Sequence, residues 1–92
     1  YWYHAHTNFL TGKQLYLGLA GFFIVEDPAE LRLRLPRGDH DLPLLIQDKR
    51  TLGEMRLAFE PEAMDIATGF LGDVVFVNNT PEAYLSVDQG LY

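Results

Sequence analysis

Short apolar runs separated by polar turns make up most of this chain, a pattern that favours strands over helices. Residues 21–25, Gly-Phe-Phe-Ile-Val, form a continuous aromatic and β-branched stretch, which predicts a strand buried on both faces. Residues 1–3, Tyr-Trp-Tyr, have high strand propensity and open the chain in mid-element, with no turn or cap before them. Further strands are predicted over residues 42–47, 56–59, 74–77 and 83–87. In the first of these, Pro43 stands near the start, where a missing N–H is tolerated. Leu31, Leu33 and Leu35 alternate with Arg32 and Arg34. Period two predicts a half-buried extended segment, although Pro28-Ala29-Glu30 also suits the start of a short helix.

Helix is expected in only two places. One is a turn over residues 14–19 with Gly18 as its terminator, and the other a turn over residues 62–66. Residues 7–12 read as a loop, and residues 52–55 and Asn78-Asn79-Thr80-Pro81 as turns. The expected fold is therefore all-β, with about six strands.

Composition narrows the function classes. Ninety-two residues suit at most one small domain, and 48% apolar with 22% charged is globular rather than disordered. A net charge of −6 argues against nucleic acid, whose affinity depends on Lys and Arg neutralising phosphates. Without cysteine there is no disulfide, thiolate metal site or thiol nucleophile. The most apolar stretch, residues 15–25, is interrupted by Gly18 and Gly21 and is too short to span a bilayer. Starting at Tyr1 rather than Met, the chain reads as a processed or excised piece.

His4 and His6 are the one pair with metal-ligand spacing. In a strand, residues i and i+2 leave the same face with Cα atoms about 6.5–7 Å apart. Two imidazoles so placed reach one ion or two neighbouring ions, and neutral imidazole suits copper, zinc, iron or nickel. His-x-His alone is a weak signal, more often a surface pair than a metal site. Trp2, Tyr1 and Tyr3 strengthen it, because a dry aromatic wall suits a redox metal. His40, between Asp39 and Asp41, reads as a solvated loop histidine, and Met55 and Met64 as packing residues. Arg32, Arg34 and Arg37 read as a solvated basic face. Asp48-Lys49-Arg50 is expected as the charged exit of a buried strand, making a salt bridge between domains.

The run Trp2-Tyr3-His4-Ala5-His6 resembles the second copper-binding motif of multicopper oxidases, the bacterial laccase and cuprous-oxidase family. Three further blocks resemble the same family in its order and spacing: residues 14–27, residues 41–50 and residues 70–78. The resemblance covers nearly the whole chain. It implies a cupredoxin-like Greek-key β-sandwich, present as incomplete parts of two adjacent domains. Residues 1–27 would be the last strands of cupredoxin domain 1, residues 28–40 a linker, and residues 41–92 the first strands of domain 2.

In that family, four such motifs hold a trinuclear copper cluster, and each histidine of the second motif binds a different type 3 copper. Carried over, His4 and His6 become type 3 copper ligands. The implied activity is a laccase-like oxidase coupling one-electron oxidation of a small reducing substrate to reduction of O2 to water. The parent protein would be periplasmic or secreted. The chain departs from many bacterial relatives at Asn8, where they carry a third histidine, and at Asn78-Asn79, where they carry Asn-Gly. Lacking the other copper motifs, the isolated chain is expected to be inactive. Its expected partners are the remaining domains of the same oxidase or other copies of itself. The alternative reading is a cupredoxin-like structural or binding protein of the cell-division type, without redox activity.

Overall fold

The computed structural model describes all residues 1–92. Seven short strands form three small antiparallel sheets, with two helices of six residues each. β1 (Trp2–His4) pairs with β2 (Ala20–Phe22), placing Trp2 opposite Phe22 and His4 opposite Ala20. α1 (Thr11–Tyr16) lies between them in sequence. β3 (Ile46–Lys49) pairs with β6 (Val74–Val77), which pairs in turn with β7 (Thr80–Pro81). β4 (Thr51–Leu52) and β5 (Arg56–Leu57) make a hairpin, and α2 (Ala63–Thr68) follows it. The strand content and antiparallel pairing are those of an all-β chain. No helix is long and apolar enough to cross a membrane.

Local signals account for the helix ends. α1 stops at Gly18, whose φ of +102° only glycine adopts freely. There the Leu19 N–H donates to the Gln14 carbonyl and the Gly18 N–H to the Leu15 carbonyl, the paired bonds of a Schellman turn. α2 starts with a reciprocal capping box between Glu62 and Asp65. The two-residue β6–β7 loop, Asn78-Asn79, has both residues at positive φ, the conformation such a hairpin turn requires.

Four expected strands are shorter or absent: residues 56–59 give only Arg56–Leu57, and the other three fall short for a pairing reason. Residues 21–25 are ladder-bonded only through Phe22, and the Phe23 N–H donates to the Tyr1 carbonyl. Ile24 and Val25 run past that last partner and are exposed rather than buried. Residues 42–45 precede the ladder because β6 ends opposite Ile46. The Leu45 backbone is instead capped by Asn78, through its side-chain oxygen and its N–H. Residues 83–87 form no strand, because Pro81 lacks an N–H and Glu82 turns the chain away with φ of +50°. The Leu/Arg alternation also yields no extended segment. Pro28–Arg32 is a 3-10 helix, capped by the Asp27 carboxylate accepting from the Ala29 N–H.

The core is minimal. Tyr16, Lys49 and Phe76 are the three buried residues. The chain exposes 7826 Å², whereas a compact protein of this mass exposes about 5400 Å². Its radius of gyration is 16.8 Å, against about 12 Å for a compact chain of this length. Met55 and Met64, expected to pack, are both exposed. Apolar strand faces left open in this way drive association. The isolated 92-residue chain is therefore expected to self-associate at micromolar concentration. Analytical ultracentrifugation showing a stable monomer would contradict this.

Candidate metal centre

The β1–β2 pairing sets the faces of the first hairpin. Tyr3 lies opposite Gly21 and projects over it, so that a Cβ at Gly21 would sit 2.5 Å from the Tyr3 hydroxyl oxygen. Trp2 and His4 take the other face by alternation. The ladder continues one bond beyond β1, from the Ala5 N–H to the Leu19 carbonyl at 3.1 Å. His6 thus follows a backbone that is still held extended. The Trp2 and His4 rings are stacked with centroids 4.6 Å apart and a 31° tilt. The His4 and His6 ring centroids are 6.0 Å apart, tilted by 34°. The strand assignment ends at His4, and His6 lies two residues on in the connection to α1.

His4 has a defined tautomer in this arrangement. Its Nδ1 lies 2.9 Å from the Ala5 carbonyl oxygen. A carbonyl only accepts, so Nδ1 carries the proton and Nε2 keeps its lone pair. Metal-bound histidines commonly hold their second nitrogen this way. No third histidine or carboxylate joins the pair to complete a metal-binding group of three. His40 is remote from the pair in chemistry as well as sequence. It is exposed, lines an open cleft with Glu26, Asp27, Arg37 and Tyr92, and its ring lies 4.8 Å from that of Tyr92.

Behind this hairpin, hydrogen bonds join the C-terminal end of α1 to the β3–β6 region. The Tyr16 hydroxyl donates to the Arg50 carbonyl at 2.9 Å and accepts from the Arg50 N–H at 2.8 Å. Its ring packs against Phe59 and Phe70, with centroids 5.0 and 5.4 Å away. Desolvation raises the Tyr16 pKa, so the hydroxyl keeps the proton it donates. Gln47 Nε2 donates to the Leu15 carbonyl, and Asn79 Nδ2 to the Gly18 carbonyl. Lys49 is fully buried, with Nζ 3.0 Å from Asn79 Oδ1 and 4.8 Å from the Phe76 ring centroid. Burial lowers its pKa.

The expected role of Asp48-Lys49-Arg50 needs correction. Asp48 and Lys49 belong to β3 rather than to an exposed exit. Arg50 pairs with Asp65 on α2, also within residues 41–92, and its guanidinium stacks 4.0 Å over Phe70. Hydrogen bonding to Arg50 and to the Glu62 N–H holds the Asp65 carboxyl below the usual carboxylate range. Sequence reasoning missed Tyr16 and Lys49 as joining residues. A lysine between two charged residues reads as solvated, and the strand alternation that turns it inward emerges only once β3 is placed.

No family model matches the chain. Laccase from Bacillus subtilis (strain 168) is 39% identical over 99% of it. Cell division protein FtsP from Proteus mirabilis (strain HI4320) is 38% identical over 97%. In three dimensions it superposes on the McoA multicopper oxidase 2F4 variant from the hyperthermophile Aquifex aeolicus, with a TM-score of 0.79 and 40% identity over 97% of the chain. This chain is a multicopper oxidase-like segment.

It spans about a fifth of these relatives' length: 20% of the laccase, 19% of FtsP and 20% of McoA. The cupredoxin fold class and the all-β expectation hold with it. The family implies copper use, and the donors present suit copper. Imidazoles are borderline-soft nitrogen ligands, and the His4 ring is already oriented by the contact of its Nδ1 with the Ala5 carbonyl.

Proposed function

We propose that this chain forms part of a laccase-like multicopper oxidase, with His4 and His6 as ligands of its type 3 coppers. The observation that carries this reading is the pair of imidazoles two residues apart, with ring centroids 6.0 Å from each other. When bound, copper supplies the one-electron steps by which a small reducing substrate reduces O2 to water. The chain's own share is narrower. His4 and His6 offer neutral nitrogen donors from a paired strand and its extension. The Ala5 carbonyl holds His4 in one tautomer, and Trp2 covers one face of that ring. With two donors here, the remaining ligands come from other parts of the protein.

On the same reading, residues 1–27 belong to one cupredoxin domain and residues 41–92 to the next, joined through residues 28–40. The partners are the remaining domains, and the protein works in the periplasm or outside the cell. The 92 residues alone do not turn over substrate.

The second reading is a cupredoxin-like structural or binding protein without redox activity. FtsP at 38% identity matches as well as the laccase at 39%, which favours neither. The retained histidine pair favours the oxidase. Copper titration of the whole protein separates the two. The oxidase reading expects tight copper uptake with the near-ultraviolet absorption of a bridged copper pair and O2-consuming turnover. Whole protein that takes up no copper under the same conditions would establish the second reading instead.

A further inference from the structure

A hydrogen-bonded seam joins the C-terminal end of α1, which carries buried Tyr16, to the β3–β6 ladder, which carries buried Lys49 and Phe76; none of the three is in β1 or β2. The seam is largely polar. Gln47, Lys49 and Phe76 share one face of the ladder, because Gln47 and Lys49 are two apart on β3 and Phe76 is the cross-strand partner of Gln47. That face meets the C-terminal turn of α1. Four hydrogen bonds cross there, two between Tyr16 and Arg50, one from Gln47 to Leu15 and one from Asn79 to Gly18. Each joins residues at least 32 positions apart in sequence.

From this we infer that Tyr16 is a positioning residue, holding the His4–His6 hairpin in one fixed orientation against the β3–β6 sheet. The inference rests on the copper-ligand reading of that pair. The path is short. The Schellman turn at Gly18 leads directly to Leu19, which accepts from the Ala5 N–H, and to Ala20, which pairs with His4. The covalent link through residues 28–40 is exposed almost throughout, so buried packing of that link contributes little to the orientation. Apolar faces slide over one another at little cost, whereas hydrogen bonds are directional and favour one register. Arg50 suits the anchoring role. Its side chain is already held by Asp65, the Leu71 carbonyl and the Phe70 ring, leaving its backbone N–H and carbonyl for Tyr16. The built-in order therefore runs from sheet to seam to turn to ligand strand.

Tyr16→Phe in the whole protein tests this. The ring stays between Phe59 and Phe70 while both hydroxyl bonds are lost. In copper-free protein, amide exchange at Arg50 and, through the turn, at Ala5 is expected to quicken about 2- to 10-fold, the weight of a net hydrogen bond. In copper-loaded protein kcat is expected to fall roughly 10- to 100-fold with KM unchanged, since small misplacements of reacting groups cost that much. Gln47→Met, which removes only the bond to Leu15, is expected to move both readouts in the same direction by less. It also serves if Tyr16→Phe does not fold. If exchange quickens at Arg50 while Ala5 exchange and kcat stay unchanged, the hairpin is not positioned by the seam and the inference is overturned. Removal of the histidines decides the copper reading separately, by copper content.

Discussion

Replacing His4 or His6 with alanine in the whole protein will remove copper and turnover together, by roughly 100-fold or more in kcat. The magnitude follows from the chemistry of the ligands. Altering a group that merely orients a metal ligand costs about 10- to 100-fold in affinity or activity, and deleting the donor itself costs at least the upper end. Both substitutions fall on a part of the chain with little to lose in packing, since neither histidine is buried. Thermal stability of the copper-free protein is therefore expected to change little, and the effect will appear in copper content and in the near-ultraviolet band. His40→Ala is the control, because that exposed ring belongs to no group of three side chains able to hold a metal. Full copper content and normal turnover in both His4→Ala and His6→Ala would remove the basis for the oxidase reading.

The second large effect is structural. Gly72→Ala is expected to destabilise the β3–β6 sheet by about 1–3 kcal/mol or more, the cost of forcing atoms into a filled space. A Cβ at Gly72 would collide with the backbone of Asp48 and Lys49. These are main-chain atoms of a paired strand and cannot swing aside as a side-chain tip would. The Gly72 N–H also donates to the Asp48 carboxylate, so moving the loop away breaks that bond too. Gly53→Ala is the matched control: nothing lies within 4 Å of the Cβ it would add, and its effect should stay within about 0.5 kcal/mol. Native-state amide exchange at Asp73, whose N–H donates to the Lys49 carbonyl, reads this local stability directly. Equal protection in the two variants would show that the loop relaxes freely.

Some elements were legible from local sequence because local chemistry alone produces them. Gly18 ends α1, Asn78-Asn79 turns the β6–β7 hairpin, and Val74–Val77 is a strand, each through backbone preferences confined to a few residues. The histidine pair was legible for the same reason. Two residues apart, His4 and His6 have ring centroids 6.0 Å from each other.

Other elements depended on partners far away in sequence. Residues 21–25 have the apolar pattern of a buried strand, yet only Ala20–Phe22 is paired as a strand here, and Ile24 and Val25 are exposed. Residues 83–87 have strand propensity but no edge to join. Lys49 is the sharpest case. Its neighbours in sequence are charged and its side chain is usually solvated, but it points into the one well-packed place in the chain. Burial is a property of what arrives opposite a residue, and Phe76 and Asn79, which meet the Lys49 side chain, lie far along the sequence.

By itself, then, the sequence determined the strand-rich class, the turns, the family and the histidine pair, all consequences of short-range backbone geometry and motif. The tertiary structure alone decided how long each strand runs, that Lys49 is buried, and that hydrogen bonds join the end of α1 to the β3–β6 region. Pairing and desolvation depend on surfaces that meet only after the chain has folded back on itself.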